Sequence, residues 1–148
     1  MPVVVDSGPL AAAINGRDHA HHLASALLIE AGHDALVPDA VVAEVDYLVR
    51  THVSTAAARR FLDALVGGVH QRVALPPSLF ARATNIDQLY ADLNLGIADA
   101  SVMALAGATG SPILTFDFRD FRAAPPLDGG AWELVIDESD YERAIKRR

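Results

Sequence analysis

The feature that most constrains this chain is a pair of short apolar runs, each leading into an aspartate. Val3-Val4-Val5 runs directly into Asp6, and Pro112-Ile113-Leu114-Thr115-Phe116 into Asp117. Short β-branched runs bounded by turn residues read as strands buried on both faces, the pattern of a parallel sheet. In open α/β folds ligands bind outside the carboxyl ends of such strands, so both carboxylates are expected to point into one crevice.

The rest of the chain fits that frame. After β-like residues 3–5, Ser7-Gly8-Pro9 reads as a turn into an apolar stretch, Leu10 to Ile14, broken at Asn15-Gly16. Asp18 is expected to cap a helix from His19 to Ala31, with Gly32 at its end. Ala35-Leu36-Val37 is a second strand, and Pro38-Asp39 opens a helix in which Val41, Val45, Leu48 and Val49 recur at helical spacing up to His52. Ser54 or Thr55 caps the next helix, which ends at Gly67-Gly68, and Arg72 to Leu75 form a third strand. A helix over residues 79–93 precedes another from Ala98 to Ala106, and Ile113 to Phe116 is the fourth strand. Asp120 to Gly130 reads as loop, marked by Pro125-Pro126 and Gly129-Gly130, and Trp132 to Ile136 as a fifth strand. Strands alternating with helices imply a parallel sheet of four to five strands with helices on both faces, in a single domain over residues 1–148.

Bulk properties exclude several function classes. With 51% apolar and 21% charged residues the chain has the composition of a globular protein. No apolar run approaches the roughly 20 residues that cross a bilayer, so no membrane association is expected. Met1 to Asp6 lead straight into a strand without a basic segment, which points to the cytoplasm. The absence of cysteine excludes disulfides, thiolate zinc sites and a cysteine nucleophile. A net charge of −7 argues against coating nucleic acid by electrostatics alone.

Two further acids stand where carboxylates are costly. Glu44 borders the apolar stripe of its helix and is expected to be partly buried, whereas Asp46 falls on the solvated side. Asp99 occupies the first turn of the helix from Ala98, among Ile97, Val102 and Leu105, where the helix dipole already favours negative charge. Each acid alone has a simpler role as a turn-former or helix cap. Together, Asp6, Glu44, Asp99 and Asp117 would repel one another unless a cation held them. Hard divalent ions take carboxylate oxygens, which points to metal-assisted phosphoryl chemistry. His19, His21 and His22 cluster at one helix start, but no third ligand completes a zinc site, and they read as a solvated helix end. Arg143, Lys146, Arg147 and Arg148 read as a frayed basic end that complements a helix dipole, the alternative being a contact with RNA or an antitoxin.

In order and spacing, Val3-Val4-Val5-Asp6-Ser7, Val42-Ala43-Glu44-Val45, Leu95-Gly96-Ile97-Ala98-Asp99-Ala100 and Ile113-Leu114-Thr115-Phe116-Asp117 resemble the PIN-domain ribonucleases, and within them the VapC toxins of bacterial toxin–antitoxin pairs. Asp120-Phe121 also looks like that family. The resemblance spans nearly the whole chain. It implies that Asp6, Glu44, Asp99 and Asp117 hold Mg²⁺ or Mn²⁺, that Ser7 and Thr115 support the site, and that Asp120 assists from just outside the quartet. It further implies a Mg²⁺-dependent endoribonuclease, a small antitoxin whose C-terminal segment occupies the acidic cleft, and a homodimer. Some of the apolar residues Leu10, Ile14, Leu23 and Leu27 are expected to supply a groove for an antitoxin segment, the alternative being that all are ordinary core. Two other readings compete. A haloacid-dehalogenase-type phosphatase wants a second Asp where this chain has Gly8, and a lysine before the last acidic motif. A non-catalytic PIN-like binding module would have no need of an intact quartet.

Overall fold

The structure, a computed structural model, describes residues 1–147. Four strands, β1 (Val3–Val5), β2 (Ala35–Pro38), β3 (Gln71–Val73) and β4 (Ile113–Leu114), form one sheet in the order β3-β2-β1-β4. Every pairing is parallel, with Val4 opposite both Leu36 and Ile113, and Leu36 opposite Gln71. All carboxyl ends therefore fall on one edge, and Asp6 and the Thr115–Asp117 segment leave the sheet side by side there.

Among the described residues eight α-helices surround the sheet: α1 (Ser7–Ile14), α2 (His21–Ala31), α3 (Asp39–His52), α4 (Thr55–Val66), α5 (Pro77–Leu89), α6 (Gly96–Thr109), α7 (Phe118–Ala123) and α8 (Glu138–Lys146). The expected turn at Ser7-Gly8-Pro9 is instead the first turn of α1. Asp6 caps it by accepting from the Ser7 N–H. A proline in the first turn costs no hydrogen bond, since that turn's N–H groups have no helical partner anyway. Helix α2 starts two residues later than expected, and Asp18 accepts from the Ala20 N–H at 2.8 Å rather than capping from its own position. Helix α6 is the most enclosed. Its Ala98, Ala100, Val102, Met103, Ala104, Leu105 and Ala106 are all buried, and it packs on α3, α5 and β1. Small alanines let neighbours approach from every side, which is the pattern of a helix buried all round.

Further segments also differ from expectation. Residues 132–136 do not form a full fifth strand. Leu134 makes one parallel bridge to Ile113, with Ile113 N–H to Glu133 C=O at 2.8 Å and Val135 N–H to Ile113 C=O at 2.9 Å. β4 is only two residues long, so it offers no more ladder. The supposed loop at Asp120 begins inside a helix, because Asp117 caps α7 by accepting from the Asp120 N–H at 3.1 Å. The basic C-terminal end is mostly α8, capped by Asp137, which accepts from the Asp140 N–H at 2.7 Å. Arg148 lies outside the described residues.

Candidate functional site

The site grows from the end of β1. The Asp6 N–H bonds the Leu114 carbonyl at 3.0 Å, continuing the β1–β4 ladder and fixing Asp6 at the sheet edge. The Asp6 side chain is 3% exposed. One oxygen accepts from the Ser7 N–H at 2.8 Å and the other from the Thr115 hydroxyl at 2.8 Å. Thr115 also accepts from the Asp117 N–H at 3.0 Å, and the Ser7 hydroxyl donates to Glu44 Oε1 at 2.6 Å. The two hydroxyl residues therefore join Asp6 to Glu44 on one side and to Asp117 on the other.

Glu44 departs from expectation in its exposure. Helix α3 buries Val41, Val45 and Val49, and Glu44 stands outside that stripe, exposed, with its carboxylate drawn to Ser7. Asp46, expected to be solvated, is partly covered and bound by both oxygens to Arg50 Nε at 3.0 and 2.9 Å.

Asp99, Asp117 and Asp120 each present a carboxylate oxygen, and the three oxygens lie within 4.8 Å of one another. Asp99 comes from the first turn of α6, Asp117 is the cap of α7, and Asp120 is in α7's first turn. Asp120 is thus as intimate a member of the group as the two acids it was expected to assist. The Asp117-x-x-Asp120 spacing carried that signal, since a capping side chain reaches the N–H three residues on and draws the two residues together.

The electrostatics tie all five acids together. Burial pushes the Asp6 carboxyl up to about 6, against the Thr115 and Ser7 hydrogen bonds, and the charges of Glu44 and Asp117 add to the rise. Asp99 is pushed up to about 8, chiefly by burial and then by Asp6, Asp117, Glu44 and Asp120. Asp120 is raised by burial and by Asp117, with Arg119 opposing. Among the described residues the ion pairs join other side chains and none reaches these five. A cluster made only of carboxylate and hydroxyl oxygens, with no cationic side chain bound to it, matches the donor chemistry of a hard divalent ion.

The other candidates lie apart from this cluster. His19 Nε2 meets the Tyr141 hydroxyl at 3.2 Å, His21 Nδ1 is 3.0 Å from the Ala12 carbonyl, and the His21 and His22 rings meet edge-on at 5.3 Å. No three-ligand group among the described residues includes a histidine. An apolar groove of about 580 Å³ runs between α1, α2 and α4, lined by Leu10, Ile14, Leu28, Ile29, Phe61 and Leu65 among others. Leu10 and Ile14 line it as expected. Leu23 and Leu27 do not, and Leu27 packs on the main core instead.

Comparison with known proteins follows the same lines. The family model described as PIN domain matches residues 3–125. Ribonuclease VapC26 of Mycobacterium tuberculosis is 34% identical over 135 residues, which cover 90% of this chain and 99% of that protein. Among solved structures, M. tuberculosis VapC20, described as a toxin that cleaves the sarcin–ricin loop, aligns with a TM-score of 0.75 at 21% identity, covering 86% of this chain and 98% of that one. VapBC2 of Rickettsia felis, solved on a DNA fragment from its promoter, aligns with a TM-score of 0.63 at 16% identity, covering 86% and 96%. A toxin–antitoxin complex from Klebsiella pneumoniae aligns with a TM-score of 0.61 at 19% identity, covering 89% and 99%.

Proposed function

This chain belongs to the PIN-domain family, and on that premise we propose that it is a metal-dependent endoribonuclease of the VapC type, the toxin of a type II toxin–antitoxin pair. Its 34% identity to a named ribonuclease over nearly the full length of both chains supports the activity. The observation that carries the choice of site is the gathering of Asp6, Glu44, Asp99, Asp117 and Asp120 into one field with no cationic side chain among the described residues bound to them. So many carboxylates with no bound cationic partner are a cost to the fold unless they are kept for a ligand.

In this reading Asp99, Asp117 and Asp120 offer oxygens to Mg²⁺ or Mn²⁺, with Asp6 and Glu44 completing the acidic set. When bound, such an ion supplies an activated water and charge compensation at the phosphate in a phosphodiester hydrolysis. Ser7 and Thr115 hold the Asp6 and Glu44 carboxylates in fixed directions, and Thr115 holds the Asp117 backbone N–H, so little reorganisation is left for the moment of reaction. Asp99, pushed up to about 8, would hold a proton near neutral pH in the free protein, and a cation held by its carboxylate would favour the deprotonated form. RNA, a polyanion, meets like charge at this cleft and on a chain of net charge −7, so its approach needs the cation as bridge.

The partners follow from the same premise. A small antitoxin is expected to lay an apolar segment in the groove between α1, α2 and α4 and its C-terminal end in the acidic cleft. Exposed Tyr47, Phe80 and Leu89 offer apolar surface for a homodimer, which light scattering of the purified protein tests. No helix among the described residues is long and apolar enough to cross a membrane, and an RNA substrate would suit a cytoplasmic protein. Sequencing of RNA 5′ ends after controlled expression tests the activity. Discrete new ends are expected with the parent chain and none with Asp6→Ala. Identical ends in both would remove the acidic cluster from the chemistry.

A further inference from the structure

The C-terminal helix α8 lies beyond the family match, which ends at residue 125, and nothing in the proposed chemistry uses it. Nine residues are too few to be helical in isolation. None of the nine is buried, so a few tertiary contacts must hold the helix in place. Tyr141 and Ile145 pack on a small patch formed by Ala12, Ala20 and Ala24, with Phe116 beside them. Tyr141 is the hub. Its ring centroid lies 4.7 Å from that of Phe116 and 5.5 Å from that of Phe118, and its hydroxyl meets His19 Nε2 at 3.2 Å. Glu138 adds a 2.5 Å ion pair to Arg122 of α7.

Phe116 and Phe118 are the two neighbours of Asp117. Residues 115–118 divide their side chains in alternation, as an extended segment does. Thr115 and Asp117 take part in the acidic site, through the Thr115 hydroxyl that bridges Asp6 and the Asp117 N–H. Phe116 and Phe118 both turn to Tyr141. The backbone at Asp117 (φ −93°, ψ 69°) belongs to neither strand nor helix, and the helix it starts has only six residues. No regular ladder therefore fixes its direction. The hydrogen bonds to Thr115 and from the Asp120 N–H hold it locally, and the flanking rings, which both bear on one tyrosine from α8, add a second hold.

We infer that α8 is a clamp on the β4–α7 junction, and that Tyr141 is a positioning residue which, through Phe116 and Phe118, sets the direction of Asp117 and of the Asp120 it caps. The inference rests on reading these acids as ion ligands.

The test compares the full-length parent with Tyr141→Ala and Tyr141→Phe, free of RNA and antitoxin. Two readouts are taken: amide hydrogen exchange, and Mn²⁺ affinity from the electron paramagnetic resonance signal of free Mn²⁺. In Tyr141→Ala, exchange over residues 115–121 is expected to rise about tenfold or more, with residues 3–6 and 41–49 unchanged. Mn²⁺ affinity is expected to fall about tenfold or more, the usual cost of removing groups that orient metal ligands. Tyr141→Phe keeps the ring stack and restores both to parent values. Faster exchange confined to residues 138–146, or parent-like Mn²⁺ affinity in Tyr141→Ala, would overturn the clamp. If Tyr141→Ala does not fold, Tyr141→Leu, which keeps apolar cover without the ring, carries the same comparison with the same two outcomes. A parent protein that bound no Mn²⁺ would refute the metal reading, whereas exchange, which needs no ion, would still decide the clamp.

Discussion

Asp99→Asn is expected to make the metal-free protein more stable, by an amount that grows with pH. The Asp99 carboxyl is pushed from the ordinary 3.8 to about 8, mainly by burial and then by the neighbouring acids. An acid whose folded pKa is raised binds its proton more tightly in the native state. Its contribution is therefore fully present below about pH 4 and is lost as pH rises through 8. Taken at face value, that displacement is worth roughly 4 kcal/mol at pH 7, at about 1.4 kcal/mol per pH unit. Asp99 is only partly covered and water screens its neighbours, so we expect about 1–2 kcal/mol. Asparagine resembles the protonated acid and removes the cost. For a chain of this size that is a rise in Tm of roughly 3–6 °C. Melts in EDTA at pH 5 and pH 7.5 should show a small gain at the lower pH and the larger one at the higher. Added Mg²⁺ should raise the Tm of the parent and leave the variant nearly unchanged. A loss of several degrees in Asp99→Asn at pH 7.5 in EDTA would refute the reasoning and make Asp99 a structural residue.

Further expectations follow from individual contacts. Thr115→Val keeps the shape but strips Asp6 of a donor and the Asp117 N–H of an acceptor, and should cost about 2–3 kcal/mol in urea melts and lower cleavage with it. Met103→Ala, at a side chain 1% exposed in the centre of α6, should cost roughly 3 kcal/mol while sparing the Mg²⁺ requirement for cleavage. Ile29→Asp, on the groove rim at a side chain 80% exposed, should leave the Tm within about a degree. The same change should weaken antitoxin binding about tenfold or more by titration calorimetry, whereas unchanged affinity would place the antitoxin elsewhere.

Much of the frame was legible because short β-branched runs have few alternatives. Val3–Val5 and Ala35–Pro38 are strands where the apolar runs lie, and Asp6 stands at the strand end as its position implied. What the sequence hid came from local capping and from short elements. Asp6 and Asp117 stand after strands and each also caps the helix that follows, a role the sequence offers only as an alternative to a metal ligand; the two roles are compatible, and the capping turned an expected turn and an expected loop into α1 and α7. It also brought Asp120 against Asp99 and Asp117, which apolar spacing cannot show. Glu44 was expected to be half-covered, yet the alanine and valines around it left it outside the buried stripe, held by Ser7 alone. Helix α8 escaped notice because its inward face is little more than Tyr141 and Ile145, too sparse to register as an apolar period.

The most direct measurement is RNA cleavage by the purified, antitoxin-free protein under controlled divalent ion. Single-stranded or loop RNA should be cut in Mg²⁺ or Mn²⁺ and left intact in excess EDTA. Ca²⁺, larger and laxer in its coordination, should occupy the acids yet support little cleavage. Asp6→Ala, which removes the most buried of the five carboxylates, should abolish cutting in every ion. Cleavage that persists in EDTA, or that survives Asp6→Ala unchanged, would contradict the assignment of the acidic cluster as the active site.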